Sequence, residues 1–246
     1  MKLFLILLLV FSPTQVAADC VILLHGLART DSSMKKLEET LQEAGYKTVN
    51  IDYPSRRHPI EALSQSVIPS ALKQCPENQN IDFVTHSLGG ILVRQYLDWH
   101  EIPKLSRVVM LGPPNQGSEV VDKLGRFPGF KFINGEAGLQ LGTGELSLPN
   151  RLGKAEFDLG IIAGTNSINL ILSMLIPDTD DGKVSVERTK LEGMNDHIEM
   201  PVSHPFLMQD DDVIEQVLHY LRYGYFKRDQ MESFQGPITL RRLTAL

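Results

Sequence analysis

The stretch "IDFVTHSLGG", residues 81–90, joins a run of strand-forming residues to a serine and two adjacent glycines. Ser-x-Gly alone is weak evidence, because it occurs about once per 200 positions by chance. Here, however, it follows an apolar strand and opens an apolar helical segment, "ILVRQYLDWH". A strand that turns sharply into a helix at a serine exposes the hydroxyl at the apex and requires small neighbours such as Gly89. Ser87 is therefore a candidate nucleophile.

Strand-like and helix-like segments alternate on both sides of this stretch. Apolar runs predict strands at "CVILLHG" (20–26), "YKTVNIDYP" (46–54), "LSRVVMLGPP" (105–114) and "FDLGIIAGTN" (157–166), with a further strand at "KVSV" (183–186). A chain of 246 residues that is 42% hydrophobic can bury the core of one large domain. We expect a three-layer α/β/α sandwich around a mostly parallel central sheet.

The N-terminus has the order of a secretory signal peptide. Lys2 precedes an apolar run over residues 3–11, and small residues end at Ala18. The apolar run is too short to span a bilayer as a helix. We therefore assign residues 1–18 to a signal peptide and residues 19–246 to the mature domain, which we expect to be periplasmic or secreted.

Export changes the interpretation of the two cysteines. Cys20 opens the first mature strand, and Cys75 ends a predicted helix two elements later, so both lie where strands begin. An oxidising compartment favours their pairing. We predict a Cys20–Cys75 disulfide, with two free thiols as the alternative, because the sequence does not determine connectivity.

A serine nucleophile needs a base, and the chain has seven histidines. In a strand-serine-helix architecture the chain order is serine, then acid, then histidine. His204, in "PVSHPFLM", lies in a loop before the final helix, where its ring can reach the serine. His197 is the second candidate. His86 adjoins the serine, but we expect its side chain to leave the strand on the opposite side.

The segment "PDTDDGKVSV", residues 177–186, offers the acid. Asp181 is the first candidate, because Asp-Gly leads directly into the predicted strand, and Asp180 is the second. The acid would hold the histidine tautomer and stabilise its imidazolium. Two backbone N–H groups would bind a developing oxyanion: that of Leu88, directly after the serine, and that of Leu27, in the loop after the first mature strand.

Taken together, "VILLHGLA", "DFVTHSLGG", "DGKVSV" and "VSHPF" resemble the α/β-hydrolase superfamily, and in particular secreted bacterial triacylglycerol lipases and esterases. The resemblance implies the nucleophile Ser87, the acid Asp181, the base His204 and the oxyanion donors Leu27 and Leu88. "PPNQGSEVVD" is similar to the segment that enters the lid of such lipases, which implies a short lid over about residues 113–154. Thr85 departs from the usual Gly-x-Ser-x-Gly, where a glycine stands in its place.

The resemblance implies a lipase or carboxylesterase that cleaves carboxylic esters through an acyl-serine. An acyltransferase, a thioesterase or a phospholipase would use the same residues, and a non-catalytic lipid-binding hydrolase fold is a further alternative. The expected ligand is a small-molecule or lipid ester, and transient contact with a membrane or lipid interface is compatible with this. The sequence does not determine the oligomeric state.

Other ligand classes find little support in the composition. The formal net charge of −6 argues against nucleic acid, because phosphate backbones need a basic face. The acidic run Asp210, Asp211 and Asp212 could be read as a calcium site, but a cluster at the start of a helix is the better interpretation. We therefore expect neither a metal nor a cofactor.

Overall fold

Six parallel strands form the centre of the structure, a computed structural model that describes residues 19–228. The strands are Cys20–Leu24 (β1), Lys47–Ile51 (β2), Ile81–His86 (β3), Leu105–Leu111 (β4), Asp158–Gly164 (β5) and Asp196–Met200 (β6). Their order in the sheet is β2-β1-β3-β4-β5-β6, and every pair is parallel. The signal peptide predicted for residues 1–18 lies outside the described residues.

Nine α-helices connect or flank the strands in the described part of the chain. They are Lys35–Glu43 (α1), Ile60–Leu72 (α2), Leu88–Leu97 (α3), Glu119–Leu124 (α4), Pro128–Leu139 (α5), Leu148–Arg151 (α6), Leu170–Ser173 (α7), Val186–Thr189 (α8) and Asp211–Tyr223 (α9). Short 3₁₀ turns cover Asp31–Met34 and His204–Phe206. Within the described residues, no helix is long and apolar enough to cross a membrane.

Each face of the sheet carries its own hydrophobic core. In β1, Ile22 and Leu24 pack with α2 and α3, whereas Val21 and Leu23 pack with α1 and α9. Successive side chains of a strand point to opposite faces, so a strand that is buried on both sides is apolar throughout. This arrangement confirms the predicted three-layer sandwich around a parallel sheet.

The strand register brings the functional loops to one edge. Leu24 at the end of β1 pairs with Thr85, and His86 at the end of β3 pairs with Leu111 at the end of β4. The loops after these strands therefore leave the sheet side by side, at the carboxyl edge where open α/β sheets bind ligands.

The strand predicted at residues 183–186 is wrong. The Asp181 carboxylate accepts hydrogen bonds from the backbone N–H groups two and three residues later, at 3.0 and 2.9 Å, and this turn bends the chain away from the sheet. Only an isolated antiparallel bridge joins Asp180 to Ser185. Within the described residues the last strand is β6, and it contains His197.

The segment over residues 113–154 has no regular sequence periodicity, yet it contains α4, α5 and α6. The buried guanidinium of Arg94 in α3 anchors both of its ends. It donates to the carbonyl of Asn115 at 2.8 Å and to those of Pro149 and Leu152 at 3.1 and 2.9 Å. Between these anchors the Phe132 side chain is 89% exposed.

Cys20 and Cys75 form a disulfide at the opposite edge, where the strands begin. Their Cα atoms lie 5.8 Å apart, and the bond closes a loop with a sequence separation of 55. A disulfide is consistent with a compartment outside the cytosol. It joins the first strand to the end of α2, far from the carboxyl edge.

We predict that Cys20→Ser/Cys75→Ser lowers the free energy of unfolding by about 4 kcal/mol, because a loop of this length loses that much closure entropy in the unfolded chain. Urea denaturation monitored by circular dichroism measures the change. Dithiothreitol should destabilise the wild type similarly and leave the double variant unaffected. A loss below about 1 kcal/mol would contradict the prediction.

Candidate active site

Ser87 stands at the junction of β3 and α3 in a backbone conformation that non-glycine residues rarely adopt. Its φ is 52° and its ψ is −117°. The Ser87 N–H donates to the carbonyl of Leu111 at 2.9 Å, which ties the turn to the neighbouring strand. A Cβ atom at Gly89 would lie 2.6 Å from the backbone oxygen of Leu24. Glycine is therefore required for α3 to pass this close to β1.

Thr85 fits next to the turn at Ser87 because the neighbouring Gly90 has no side chain. Its side chain is fully buried, and a Cβ atom at Gly90 would lie 3.2 Å from its Oγ1 and 3.0 Å from the sulfur of Met110. The second glycine after the serine thus makes the room that the threonine occupies. This explains how the departure from Gly-x-Ser-x-Gly is accommodated.

Asp181 and His204 form a buried pair. His204 Nδ1–H donates to Asp181 Oδ2 at 2.7 Å, and the backbone N–H of His204 donates to the Asp181 carbonyl at 2.9 Å. The other carboxylate oxygen accepts the two N–H bonds of the Asp181 turn. This contact requires a proton on Nδ1, so in the neutral ring Nε2 is the nitrogen that can accept a proton.

Gly112 makes space for this pair, although the sequence analysis did not identify it. It follows β4 with a φ of 54°, and a Cβ atom there would lie 3.0 Å from both Asp181 Oδ2 and His204 Nδ1. Its signal in the sequence is a single glycine after an apolar strand, which also fits an ordinary turn.

His86 lies closer to the site than the sequence indicates. Its ring lines the same cavity as Ser87, and Nε2–H donates to the backbone carbonyl of His204 at 3.0 Å. Burial lowers the pKa of His86 well below its usual value, and the neighbouring His204 lowers it further. The lowered pKa favours the neutral ring, and its Nε2–H ties the end of β3 to the backbone of His204.

The loop after β1 runs directly against the serine. A Cβ atom at Gly26 would lie 3.2 Å from Ser87 Cβ and 2.6 Å from His86 Nδ1. Leu27 follows in this loop and lines the cavity, and Leu88 is the first residue of α3. Among the backbone hydrogen bonds of residues 19–228, none uses the N–H of Leu27 or of Leu88. Neither N–H group is therefore engaged by the backbone in the described part of the chain.

Contacts from the loop after β2 hold the Leu27 loop in place. Ala28 adopts a φ of 57°, and its N–H donates to Ser55 Oγ at 3.0 Å. The buried His25 ring stacks on Tyr53 with centroids 4.0 Å apart and donates from Nδ1 to the Gly26 carbonyl at 2.8 Å. Burial lowers the pKa of His25, which favours the neutral ring. The sequence gives no signal for Tyr53 and Ser55, because their contacts cross between loops.

The second-choice residues have other partners. His197 Nε2 contacts Thr189 Oγ1 at 3.0 Å, and burial lowers its pKa. Asp180 accepts from Ser173 Oγ at 2.5 Å and from the Gly182 N–H at 2.6 Å. The structure therefore brings Asp181, not Asp180, to His204.

Ser87, Asp181 and His204 line a single cavity of about 340 Å³. Most of its remaining wall is apolar and comes mainly from three regions: the loop after β1, the segment 113–154, and α7 with the residues just before it. The apolar lining residues are Leu27, Val120, Val121, Phe130, Ile133, Leu141, Ile168 and Leu172. Such a wall suits a hydrocarbon chain bound next to the serine.

The acidic run before α9 acts as a helix cap. Asp210 accepts hydrogen bonds from the N–H groups of Asp212 and Val213, both at 3.1 Å. In the part of the chain that the structure describes, no group of three or more His, Cys, Asp or Glu side chains is arranged to hold a metal ion.

No protein-family model and no curated protein sequence matches the chain. Solved structures do. The mature lipase BlEst2 from Bacillus licheniformis is 18% identical with a TM-score of 0.66, over 84% of this chain and 93% of that one. The metagenomic carboxyl esterase MGS0156 is 20% identical with a TM-score of 0.58, over 77% of this chain and 65% of that one.

Phospholipase PlaB from Legionella pneumophila is also similar in structure. It is 20% identical with a TM-score of 0.55, over 71% of this chain and 45% of that one. Identities this low carry information on the fold and not on the reaction. Together with the parallel sheet and its flanking helices, they show that the chain has the α/β-hydrolase fold of lipases and esterases.

Proposed function

We propose that the chain is a serine-dependent carboxylic ester hydrolase, a lipase or carboxylesterase. One observation carries the proposal: Ser87 stands on a strained strand-to-helix turn and lines the same apolar cavity as a hydrogen-bonded Asp181–His204 pair. Strain of this kind costs about 1–3 kcal/mol and is found where a site requires it. The lipase and esterase neighbours have the same fold, which can host this reaction.

In the proposed reaction, Ser87 Oγ attacks the acyl carbon while His204 Nε2 takes the hydroxyl proton. Asp181 stabilises the imidazolium that forms. The negative charge on the former carbonyl oxygen is held by the N–H groups of Leu27 and Leu88. His204 then gives its proton to the departing alkoxide as the ester C–O bond breaks.

A water molecule completes the turnover. It attacks the acyl carbon of the acyl-serine while His204 removes its proton, and Ser87 leaves as the alcohol. The apolar wall over the serine would hold the acyl chain, and segment 113–154 would act as a short lid with its ends anchored by Arg94. We further propose that residues 1–18 export the protein, in keeping with the disulfide of the mature domain.

The first experiment tests the nucleophile. Ser87→Ala should lower kcat on nitrophenyl esters by at least about 10³-fold, because removal of a serine nucleophile leaves only binding and oxyanion stabilisation. A series of acyl chain lengths with purified residues 19–246 measures the rates, and mass spectrometry locates the adduct of a fluorophosphonate probe. Ser70→Ala, at an exposed position of α2, is the control.

The outcome separates a hydrolase from a non-catalytic lipid-binding protein. Labelling at Ser87 together with ester turnover supports the proposal. A wild type that hydrolyses no ester and takes up no probe would refute it.

The second experiment tests the acid. Asp181→Asn should lower kcat by about 10⁴-fold, because an amide can hold the histidine in the wrong tautomer and cannot stabilise its cation. Asp180→Asn should retain kcat within about tenfold, since the Asp180 carboxylate accepts from Ser173 and the Gly182 N–H rather than from His204. Thermal unfolding of both variants controls for folding. A larger loss of kcat in folded Asp180→Asn would assign the acid to Asp180 instead.

The third experiment tests His86 as a positioning residue. His86→Leu removes the donor to the His204 carbonyl, and we expect kcat to fall about tenfold with little change in KM, because one hydrogen bond that orients the base is lost. His86→Gln keeps a donor at the end of a side chain and should recover most of kcat. Equal losses in both variants would show that His86 serves packing alone.

A further inference from the structure

A second cavity opens beside the catalytic one. Its volume is about 730 Å³, and Ala28 and Arg29 line both cavities. Four basic side chains contribute to its wall: Arg29, Arg56, Arg57 and Lys131. Asp52 is the acidic side chain in that wall. A surplus of positive charge at this place stands out in a chain whose formal net charge is −6.

The loop that carries two of these arginines is fastened on both sides. The Arg56 guanidinium donates to the carbonyl of Ile133 in α5 at 3.3 Å. Gly135 has a φ of 67°, and a Cβ atom there would lie 1.9 Å from the Arg56 carbonyl oxygen, so α5 approaches this loop as only a glycine permits. On the other side, Ser55 Oγ accepts a hydrogen bond from the N–H of Ala28 in the loop after β1.

The acidic groups nearby leave most of this positive charge uncompensated. Asp52 lies 3.4 Å from the buried His25 ring, whose Nδ1–H is engaged by the Gly26 carbonyl, and the Asp52 side chain is 61% exposed. Glu136 lies 4.0 Å from Lys131 with both side chains exposed. Ion pairs of that kind contribute little, because water and salt screen them. The hydrogen bond from Arg56 to the Ile133 carbonyl uses one guanidinium N–H but does not neutralise the positive charge of Arg56.

We propose that this basic pocket, lined by Arg29, Arg56, Arg57 and Lys131, binds a phosphate group on the alcohol part of the ester. The inference rests on the proposed function. The apolar wall over Ser87 takes the acyl chain, so the alcohol part must extend elsewhere, and the basic pocket begins at the shared residue Arg29. Arginine presents paired N–H donors that match the oxygens of a phosphate. The substrate class is therefore an acyl ester of glycerol phosphate.

The experiment compares two esters that differ only in the phosphate: lauroyl glycerol phosphate and lauroyl glycerol, both below their aggregation concentrations. Wild-type kcat/KM should be at least about tenfold higher for the phosphate ester, which corresponds to one charge-assisted hydrogen bond. Arg56→Gln/Arg57→Gln should lower kcat/KM for the phosphate ester about 10- to 100-fold and change the neutral ester by less than about twofold.

The control variant makes the same change of charge at the other edge of the sheet. Lys47→Gln/Lys73→Gln alters two exposed lysines at the start of β2 and the end of α2. It should leave both rates unchanged, and thermal unfolding should show that both double variants fold. The preference of the wild type should also shrink between 0.05 and 0.5 M NaCl, since the Debye length falls to a few ångströms.

The outcomes separate this inference from the proposed function. Hydrolysis of both esters without preference, or an equal loss on both in the arginine variant, overturns the phosphate subsite while the hydrolase stands. Hydrolysis of neither ester overturns the hydrolase itself. A preference that appears only when the esters are presented in vesicles would mean that the arginines bind a lipid surface, and it too overturns the subsite.

Inorganic phosphate distinguishes a substrate group from a free ligand. It should compete with lauroyl glycerol phosphate and leave the rate on lauroyl glycerol unchanged. If it instead alters the rate on the neutral ester, the pocket is an effector site for free phosphate, and the assignment to the substrate is wrong.

Discussion

The close crossing of α3 over β1 at Ser87 is the constraint on which the site depends. The chain passes from the end of β3 to the start of α3 through one residue, Ser87, which adopts a φ of 52°. That conformation costs about 1–3 kcal/mol, and the hydrogen bond to Leu111 together with the packing of Gly89 against Leu24 offsets it. Because β1, β3 and β4 are all held by the turn, the serine cannot move without disturbing the centre of the sheet.

The position of the Asp181–His204 pair depends on a glycine that leaves space for it as well as on hydrogen bonds. Gly112 leaves the volume that the carboxylate and the imidazole fill, and the Asp181 turn presents its second oxygen to backbone donors. His86 then fixes the His204 backbone from the strand that carries the serine. The contacts of His204 with Asp181 and of His86 with the His204 carbonyl each end on an oxygen that can only accept. Each contact therefore determines which ring nitrogen of the histidine carries the proton.

Local patterns predicted the elements and most candidate site residues, whereas contacts between distant segments could not be predicted. The apolar runs and Gly89 specify a strand, an elbow and a helix within ten residues, so Ser87 could be found from the sequence. Residues 183–186 were predicted as a strand from their β propensity, but the Asp181 side chain binds the backbone there and forms a turn. The roles of Gly112 and Ser55 depend on loops that meet only after folding, and neither residue carries a distinctive local pattern.

The loop from His25 to Arg29 connects the catalytic cavity with the proposed phosphate pocket. Its first half is buried and hydrogen-bonded to Tyr53, its middle carries the Leu27 N–H, and its end contributes Arg29 to two cavities. In the proposed reaction this loop would present an oxyanion donor and would direct the acyl and alcohol parts of the ester into different cavities. Because Ser55 fastens Ala28, binding energy gained in the basic pocket would act on the same loop that stabilises the transition state. Such coupling would raise kcat as well as affinity, since energy from a remote group of the substrate is then used at the reacting carbon.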